Sequence, residues 1–212
     1  MIVIGGMMIN YTQFNGYSVI NLDFSRYEEV KELLTTTFQD YVSVKHFFGK
    51  ESEKKLRCLR LYFNGVLKMQ AEKRQPVLGA IASNQIAGVA IVNEPGISLS
   101  AWVLIPLILE TGLPRIWRLV QTIMAVEPYK PAAPYYYLQT LGVHPDFQAQ
   151  GYGRALLDAV HALSKAHPTS TGVWLETTDP NNVPMYEHFG YKLKEKLNVQ
   201  GLEVNLLFRP ND

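Results

Sequence analysis

The chain has 212 residues, 47% of them hydrophobic, which is enough for one domain with a substantial core. Twenty basic and nineteen acidic side chains leave a formal charge of +1, so the overall balance gives no reason to expect a nucleic-acid or acidic-membrane partner. A single cysteine, Cys58, excludes an internal disulfide, and no Cys/His cluster has zinc spacing. We therefore expect a single domain over residues 1–212, without a metal, in a reducing cytoplasm.

Two apolar stretches have to be compared with a signal peptide and with a membrane span. Met1 to Ile9 lacks a basic segment and a small-residue cleavage site, so we do not interpret it as a signal peptide. Ile97 to Leu109 contains Pro106 and is shorter than the ~18 residues that a membrane span requires. We therefore expect no membrane anchor and a cytoplasmic protein.

The first part of the chain predicts alternating strands and helices. A strand at Tyr17–Leu22 precedes a helix for which Ser25 and Glu28 form a capping box. A second helix is predicted over 53–72. The apolar face of the first helix consists of Tyr27, Val30, Leu33, Leu34 and Phe38.

A hairpin and a helical insertion follow. Ser83-Asn84 separates two short apolar runs, as in a tight hairpin. Gly112 and Pro114 divide the apolar segment after the hairpin into two helices, and a proline-rich linker follows them. The predicted bounds are Val77–Ala82 and Gln85–Val92 for the strands, 99–110 and 114–126 for the helices, and 127–134 for the linker.

The last part predicts a central strand, a long helix and a strand–helix–hairpin unit. Pro168 lies past the end of the long helix, and Gln200-Gly201 is the turn between the final strands. The predicted elements are the central strand 135–143, the helix 151–166 with Leu156, Leu157, Val160 and Leu163 on its buried side, the strand 173–177, the helix 182–190 and the strands 191–197 and 203–208. This order is typical of an α/β (α+β) domain.

The turn between the central strand and the long helix predicts an anion site. Pro145, Gly151 and Gly153 leave backbone N–H groups free and reachable where the helix begins. The helix start adds roughly half a positive charge, which suits a pyrophosphate. A dinucleotide fingerprint fails because the segment Gly151 to Leu156 ends in leucine, and the Gly-Lys-Ser/Thr ending of a Walker loop is absent.

The remaining pattern, Gln-x-x-Gly-x-Gly after Val143-His144-Pro145, resembles the signature of the GNAT superfamily of acetyl-CoA-dependent N-acetyltransferases. A second motif supports it: Asn182 and Tyr186 lie on a short helix that ends in Gly190-Tyr191. The motifs cover residues 135–209, and the match looks most like the puromycin N-acetyltransferase group. The resemblance implies a central mixed, mostly antiparallel sheet flanked by helices, with a helical insertion before the central strand.

The resemblance also implies the coenzyme site. A backbone N–H near the end of the central strand would polarise the thioester carbonyl, because that strand splays from its neighbour in GNAT proteins. Main-chain groups of the loop would hold the pyrophosphate and the pantetheine of acetyl-CoA. The implied coenzyme-binding residues are Leu141, Gly142, Val143, Gln148, Ala149, Gln150, Gly151, Tyr152, Gly153, Arg154, Ala155 and Asn182.

Two residues are candidates for the chemistry. Tyr186 matches the family tyrosine that acts as general acid towards the coenzyme sulfur. Glu176, at the end of a strand next to the cleft, is the candidate base, or else it binds a cationic acceptor or pairs with a basic neighbour. Asn182 has two open roles, contact with the coenzyme arm or capping of its helix.

Three further polar side chains belong to the same region of the sequence. His144 is a possible base in the loop, although a solvent-facing side chain is favoured. Gln139 and Tyr137 face the acceptor in one of the two strand registers.

The expected acceptor is a small molecule with a primary amine, to which the acetyl group is transferred directly. The apolar insertion 97–129 either lines the acceptor pocket or forms a core extension or dimer face. Two other functions stay open, a protein or peptide N-acetyltransferase and a non-catalytic acyl-CoA-binding sensor. We expect a monomer or homodimer with no nucleic-acid or membrane partner.

Overall fold

The computed structural model describes residues 12–14 and 16–211. The Met1–Ile9 segment therefore lies outside the described residues. Four short 3-10 helices, at Phe24–Arg26, Ala101–Leu104, Glu127–Tyr129 and Pro145–Phe147, connect the main elements. The main elements are β1 (Thr12–Phe14), β2 (Tyr17–Asn21), α1 (Tyr27–Phe38), α2 (Val42–Phe48), α3 (Ser52–Glu72), β3 (Val77–Ala82), β4 (Gln85–Asn93), α4 (Ile105–Thr111), α5 (Leu113–Val126), β5 (Tyr136–Val143), α6 (Tyr152–Ala166), β6 (Gly172–Thr177), α7 (Asn182–His188), β7 (Lys192–Val199) and β8 (Leu202–Pro210).

The strands of the described residues form one mixed β-sheet. Its strand order is β1-β2-β3-β4-β5-β6-β8-β7, and the pairs are antiparallel except for the parallel pair β5–β6. Helices flank both faces, so the predicted fold class, a mostly antiparallel mixed sheet flanked by helices, is confirmed. The helical insertion also lies where it was predicted, directly before β5.

The two central strands separate along their length. β5 pairs with β6 only at Tyr136↔Val173 and Tyr137↔Trp174, although β5 continues to Val143 and β6 to Thr177. On its other side β5 stays paired with β4 as far as Val143. A gap therefore opens between β5 and β6 towards the carboxyl end of β5, and we call it the β5–β6 gap.

Each face of the sheet has its own apolar core. On one face, Val30 and Leu34 of α1 and Leu59 and Val66 of α3 are buried with Trp174 of β6. On the other face, α6 buries a row of side chains against the sheet: Ala155, Leu156, Leu157, Ala159 and Val160. Since successive side chains of a strand point to opposite faces, β5 supplies groups to both cores and to any cleft between them.

Local signals predicted most of these elements, with two omissions and one wrong cap. The predicted hairpin is present, and Ser83 and Asn84 have φ values of 45° and 72°, as a tight hairpin turn requires. Sequence patterns did not reveal β1 or α2. The Ser25 capping box was wrong, because the Asp23 carboxylate accepts the Ser25 N–H at 2.8 Å and begins a 3-10 turn ahead of α1.

The predicted insertion is partly a core extension. Val103, Leu107 and Ile116 are buried in the core that α1 and α3 share. Gly65 of α3 permits this packing, because a Cβ atom there would lie 2.9 Å from Val103 Cγ1. The opposite side of the insertion exposes large apolar side chains: Ile105, Leu109, Leu113, Trp117 and Met124. In the described part of the chain, no helix has the length and apolar character needed to cross a membrane.

Candidate active site

The loop between β5 and α6 presents backbone donors. Ala149 and Gly151 have φ values of 57° and 89°, and α6 begins at Tyr152. The N–H of Ala155 already donates to the Gly151 carbonyl at 3.0 Å. The preceding N–H groups of the first turn, at 152–154, have no helical acceptor, so they are available to an anion.

Tyr17 of β2 contacts the loop and fixes its position. The sequence analysis did not identify this residue. Its hydroxyl donates to the Gln150 carbonyl at 2.5 Å, and its ring packs edge-on against Tyr152 with centroids 4.9 Å apart. A Cβ atom at Gly151 would lie 2.6 Å from the Tyr17 hydroxyl oxygen. Glycine is therefore required at 151 by both its positive φ and this close approach.

A cleft of about 280 Å³ runs from this loop towards the end of β5. It brings together most of the residues predicted to bind the coenzyme. Its lining consists of Leu141, Val143, Phe147, Gln148, Ala149, Gly151, Tyr152, Gly153, Arg154, Leu157, Met185 and Phe189. A largely apolar cleft that ends at free N–H donors fits a molecule with a long arm and a pyrophosphate.

Four of the predicted coenzyme ligands do not line this cleft: Gly142, Gln150, Ala155 and Asn182. Gly142 faces α1, where a Cβ atom would lie 3.0 Å from Leu34 Cδ2. The Gln150 amide donates to the Asp146 carbonyl at 2.8 Å and so braces the loop. Ala155 is fully buried and its N–H belongs to the helix.

Gln148 and His144 also have structural partners. The Gln148 amide donates to the Val143 carbonyl at 3.1 Å and ties the loop to the end of β5. His144 Nδ1 accepts the Asp146 N–H at 3.3 Å, which caps the 3-10 turn after the strand. Both contacts shape the loop.

Tyr186 is buried on α7, at 8% relative exposure. Its ring packs edge-on against Tyr191, with centroids 5.5 Å apart. Burial, and to a smaller degree the neighbouring Tyr41, raises the pKa of the Tyr186 hydroxyl above its usual value. The group therefore stays protonated at neutral pH and acts as a donor.

Asn182 does not cap its helix, because the N-cap of α7 is Asn181, and its contact with the coenzyme arm stays a prediction. Its amide donates to the Tyr41 hydroxyl at 3.1 Å and to Thr177 Oγ1 at 3.4 Å. The turn ahead of α7 is held instead by Asp179 Oδ1, which accepts the Asn181 N–H at 3.0 Å. Asn182 thus links α7 to the end of β6 and to the α1–α2 connection.

Glu176 lies deep on the α1/α3 face of the sheet and has two neutral donors. The Tyr137 hydroxyl donates to its Oε2 at 2.5 Å, and Trp174 Nε1 donates to its Oε1 at 2.6 Å. Burial raises the pKa of Glu176, and these two hydrogen bonds and the positive charge of Lys130 oppose that rise. The raised pKa and the two neutral donors are consistent with a carboxyl group that exchanges a proton.

A second polar group adjoins Glu176. Gln139 accepts the Asn93 amide at 3.2 Å and donates to the Tyr62 hydroxyl at 3.4 Å. Gln139, Tyr62, Tyr137 and Glu176 all keep some solvent-accessible surface. These polar side chains form a partly exposed cluster on the α1/α3 face of the sheet, which we call the Glu176 site.

Lys130 lies beside the Glu176 site. Its ammonium group lies 5.7 Å from the centre of the Tyr137 ring and forms an ion pair with Glu127 at 2.7 Å. The side chain is therefore near Glu176 and is not bonded to it.

The open central strand pair, the helix start with free N–H groups and the tyrosine on the following short helix agree with the arrangement expected from the resemblance to GNAT proteins. Residues 115–193 match the family model described as an acetyltransferase (GNAT) domain. Over this segment the chain is therefore similar to GNAT acetyltransferase domains, and the matched segment includes the loop, Glu176 and Tyr186.

Solved structures share the fold over nearly the whole chain. A structure titled histone acetyltransferase HPA2 and related acetyltransferase, from Corynebacterium glutamicum, is 18% identical with a TM-score of 0.71, covering 92% of this chain and 96% of that one. Arylalkylamine N-acetyltransferase 2 from Aedes aegypti is 15% identical with a TM-score of 0.63, covering 93% and 100%. A polyamine N-acetyltransferase of Drosophila melanogaster is 14% identical with a TM-score of 0.63, covering 91% and 98%.

The domain match and these acetyltransferase neighbours support an acyltransferase enzyme. Acetyl-CoA is the usual cosubstrate of the GNAT family. The closer resemblance to the puromycin N-acetyltransferase group stays a prediction. Within the described residues, no cluster of three or more His, Cys, Asp or Glu side chains is arranged to hold a metal ion.

Proposed function

We propose that the protein is an N-acetyltransferase that transfers the acetyl group of acetyl-CoA directly to a primary amine of a small molecule. The observation that carries the proposal is the cleft that joins the free N–H groups of α6 to the β5–β6 gap. It gives the donor a place for its pyrophosphate and for its arm, and it leads the thioester to the strand edge.

The two sides of the sheet have different tasks in this proposal. The loop and α6 hold acetyl-CoA on one side, and the Glu176 site receives the amine on the other. The β5–β6 gap is the passage between them, so the amine and the thioester meet where the strands part. The carbonyl is polarised there by a backbone N–H from 141–143, an effect on the order of 3 kcal/mol per donor.

The reaction exchanges one bond for another. A carbon–nitrogen bond forms, the carbon–sulfur bond breaks, and its electron pair stays on sulfur. The amine must lose a proton, because alkylamines with a pKa near ~10 are charged at neutral pH. Glu176 accepts or relays that proton, and the Tyr186 hydroxyl donates a hydrogen bond to the departing sulfur.

The acceptor site favours an amine with an apolar or aromatic body. Tyr62 and Tyr137 line it with polar tips and apolar rings, and Glu176 supplies negative charge for an ammonium group. Solved neighbours include proteins named arylalkylamine, polyamine and agmatine N-acetyltransferases. Aminonucleosides of the puromycin type belong in the same test panel. We propose a monomer or homodimer that acts in the cytoplasm as a single catalytic domain.

The donor assignment is tested at Gly153, whose Cβ position meets only Val143 Cγ2, at 3.5 Å. Gly153→Glu places a negative charge in the coenzyme cleft, and we expect it to abolish acetyl-CoA binding in calorimetry while the thermal transition is kept. Gly153→Ala is the matched control, because a methyl group fits there and alanine favours a helix. Equal affinity of the wild type and Gly153→Glu for acetyl-CoA would contradict the proposed donor site.

The acceptor is identified by a release assay for free coenzyme A over arylalkylamines, polyamines, aminonucleosides and short peptides. We expect turnover on at least one class of small amine. Turnover on peptide N-termini or lysines alone would replace the proposal by a protein N-acetyltransferase, and acetyl-CoA binding without turnover on any amine would indicate a sensor.

A further inference from the structure

Trp174 and Glu176 are neighbours on one face of β6. They are two residues apart in the strand, and alternate side chains of a strand point to the same side. Trp174 Nε1 donates to Glu176 Oε1 at 2.6 Å, which is short for an N–H donor and typical of a bond to a charged acceptor. The strand itself therefore brings the donor to the carboxyl group.

The indole ring of Trp174 is fixed by its surroundings. The residue is 1% exposed and belongs to the core that α1 and α3 share. The Tyr135 ring packs on it with centroids 6.4 Å apart, and Phe208 of β8 is its partner in the sheet. A buried ring of this size cannot turn without disturbing a close-packed core. The N–H therefore keeps one position and one direction.

The two donors to Glu176 differ in what they can do. An indole N–H can only donate, whereas a tyrosine hydroxyl can donate or accept. The Tyr137 hydroxyl donates to Oε2 at 2.5 Å, and it can turn to accept from Oε2 when Glu176 is protonated. Tyr137 therefore suits both states of the carboxyl group. The Trp174 bond is stronger to a carboxylate than to a neutral carboxyl group, so it favours the ionised state.

The charges around Glu176 leave it dependent on such donors. Within the described chain, the titratable and charged groups that act on it are Tyr62, Tyr135, Tyr137, Lys130 and Glu127. Burial raises the pKa of the three tyrosines, so all of them are neutral at neutral pH. Lys130 pairs with Glu127 at 2.7 Å, so the fields of these two opposite charges partly cancel at Glu176.

We propose that Trp174 is the positioning residue of Glu176, whose N–H holds Oε1 in place and keeps the carboxylate ready to accept the amine proton. The proposal rests on the proposed acetyl transfer, and Trp174 acts in it only through Glu176. The carboxylate takes one proton from the ammonium group, and the freed lone pair on nitrogen forms the new carbon–nitrogen bond. Without the indole donor, more of Glu176 is already protonated when the amine arrives, and a protonated carboxyl group cannot accept.

The test replaces only the N–H group. Benzothienylalanine has the shape of tryptophan with a sulfur atom in place of the N–H, so at position 174 it removes the donor and keeps the packing. The same replacement at Trp117, an exposed residue of α5, is the matched control. The protonation of Glu176 is followed by infrared spectroscopy of its carboxyl band, which Glu176→Gln identifies by its loss. We expect the pKa of Glu176 to rise by about one unit with the replacement at position 174 and to stay unchanged in the control.

The pH profile of kcat/KM separates positioning from a structural role. A base must be ionised to act, so a higher pKa of Glu176 moves the acid limb of the profile to higher pH. Well below both pKa values, kcat/KM should be about tenfold lower than in the wild type, and above both it should equal the wild-type value. A structural defect alone would lower kcat/KM at every pH.

A fluorinated tryptophan at position 174 gives the opposite change. Fluorine makes the N–H a stronger donor, so the pKa of Glu176 should fall below the wild-type value. An unchanged pKa of Glu176 with either analogue overturns the role of Trp174, and so does a shifted carboxyl band with an unshifted kcat/KM profile. If the wild type acetylates no amine, the proposed function fails and this proposal with it. The infrared titration of the same protein then distinguishes that failure from one at Trp174.

Discussion

His161 provides a quantitative test of the core behind the active-site tyrosines. The residue lies on α6 at 9% relative exposure, and its Nε2 is 3.1 Å from the Tyr191 hydroxyl. Burial, and secondarily the positive charge of Arg209, lowers the pKa of His161 to about 3. The folded protein therefore keeps this imidazole neutral at a pH where an unfolded chain protonates it.

The sign and size of the effect follow from proton linkage. Below the unfolded pKa near ~6.5, the unfolded chain binds a proton that the native state excludes, so the free energy of unfolding falls as the pH falls. Each pH unit contributes about 1.4 kcal/mol, which amounts to about 2 kcal/mol between pH 8 and pH 5. For a chain of this length that corresponds to a decrease in Tm of about 4–8 °C.

His161→Gln removes the titration and keeps a polar partner for Tyr191. We expect its stability relative to the wild type to rise by about 2 kcal/mol when the pH is lowered from 8 to 5, as measured by urea unfolding across that range. His188→Gln, at an exposed histidine on α7, is the control. A difference between wild type and His161→Gln that does not change with pH would refute the argument that a neutral, buried imidazole supports Tyr191.

Three further changes test the site and the fold. Glu176→Gln should lower kcat/KM by about 100-fold, because it removes the proton acceptor and keeps the shape of the side chain. The affinity for acetyl-CoA, measured by calorimetry, should not change. The control Glu187→Gln, at an exposed residue, should leave kcat/KM unchanged. Ser83→Gly should raise the free energy of unfolding, measured by urea denaturation, by about 1 kcal/mol. The left-handed φ of 45° at Ser83 costs a residue with a side chain about that amount. Leu34→Ala should cost about 2–5 kcal/mol in the same assay, since this fully buried side chain packs on Gly142.

Elements with strong local signals could be predicted from the sequence. The Ser83-Asn84 turn and the α6 face depend on residues within one or two turns of each other, and both are present. α2 escaped prediction because it is seven residues long and Tyr41, its N-cap, supplies no side-chain capping bond. The α1 cap was misplaced because Asp23 and Ser25 are both good capping residues, and the carboxylate of Asp23 takes the Ser25 N–H.

The residues of the candidate site also differ in how far the sequence could predict them. The anion loop could be predicted because its glycines and the start of α6 are adjacent in sequence. Tyr17 and Tyr41 could not, since their contacts join residues 133 and 136 positions apart. Gly142 and Ala155 lie in the predicted segment but do not reach the cleft. Gly142 is on the face of β5 that packs on α1, and the Ala155 N–H makes the first hydrogen bond of α6.

The short pairing between β5 and β6 gives the sheet an edge in its interior. Past Tyr137, the side of β5 that faces β6 carries backbone groups that no strand of the described chain pairs. Exposed edges elsewhere invite foreign strands and aggregation, but this one lies inside the sheet, between β5 and β6. An extended ligand with amide groups can add to such an edge as a strand would, so under the proposed function the sheet would gain its missing pairing when acetyl-CoA binds. The thermal stability of the whole fold should therefore report donor occupancy.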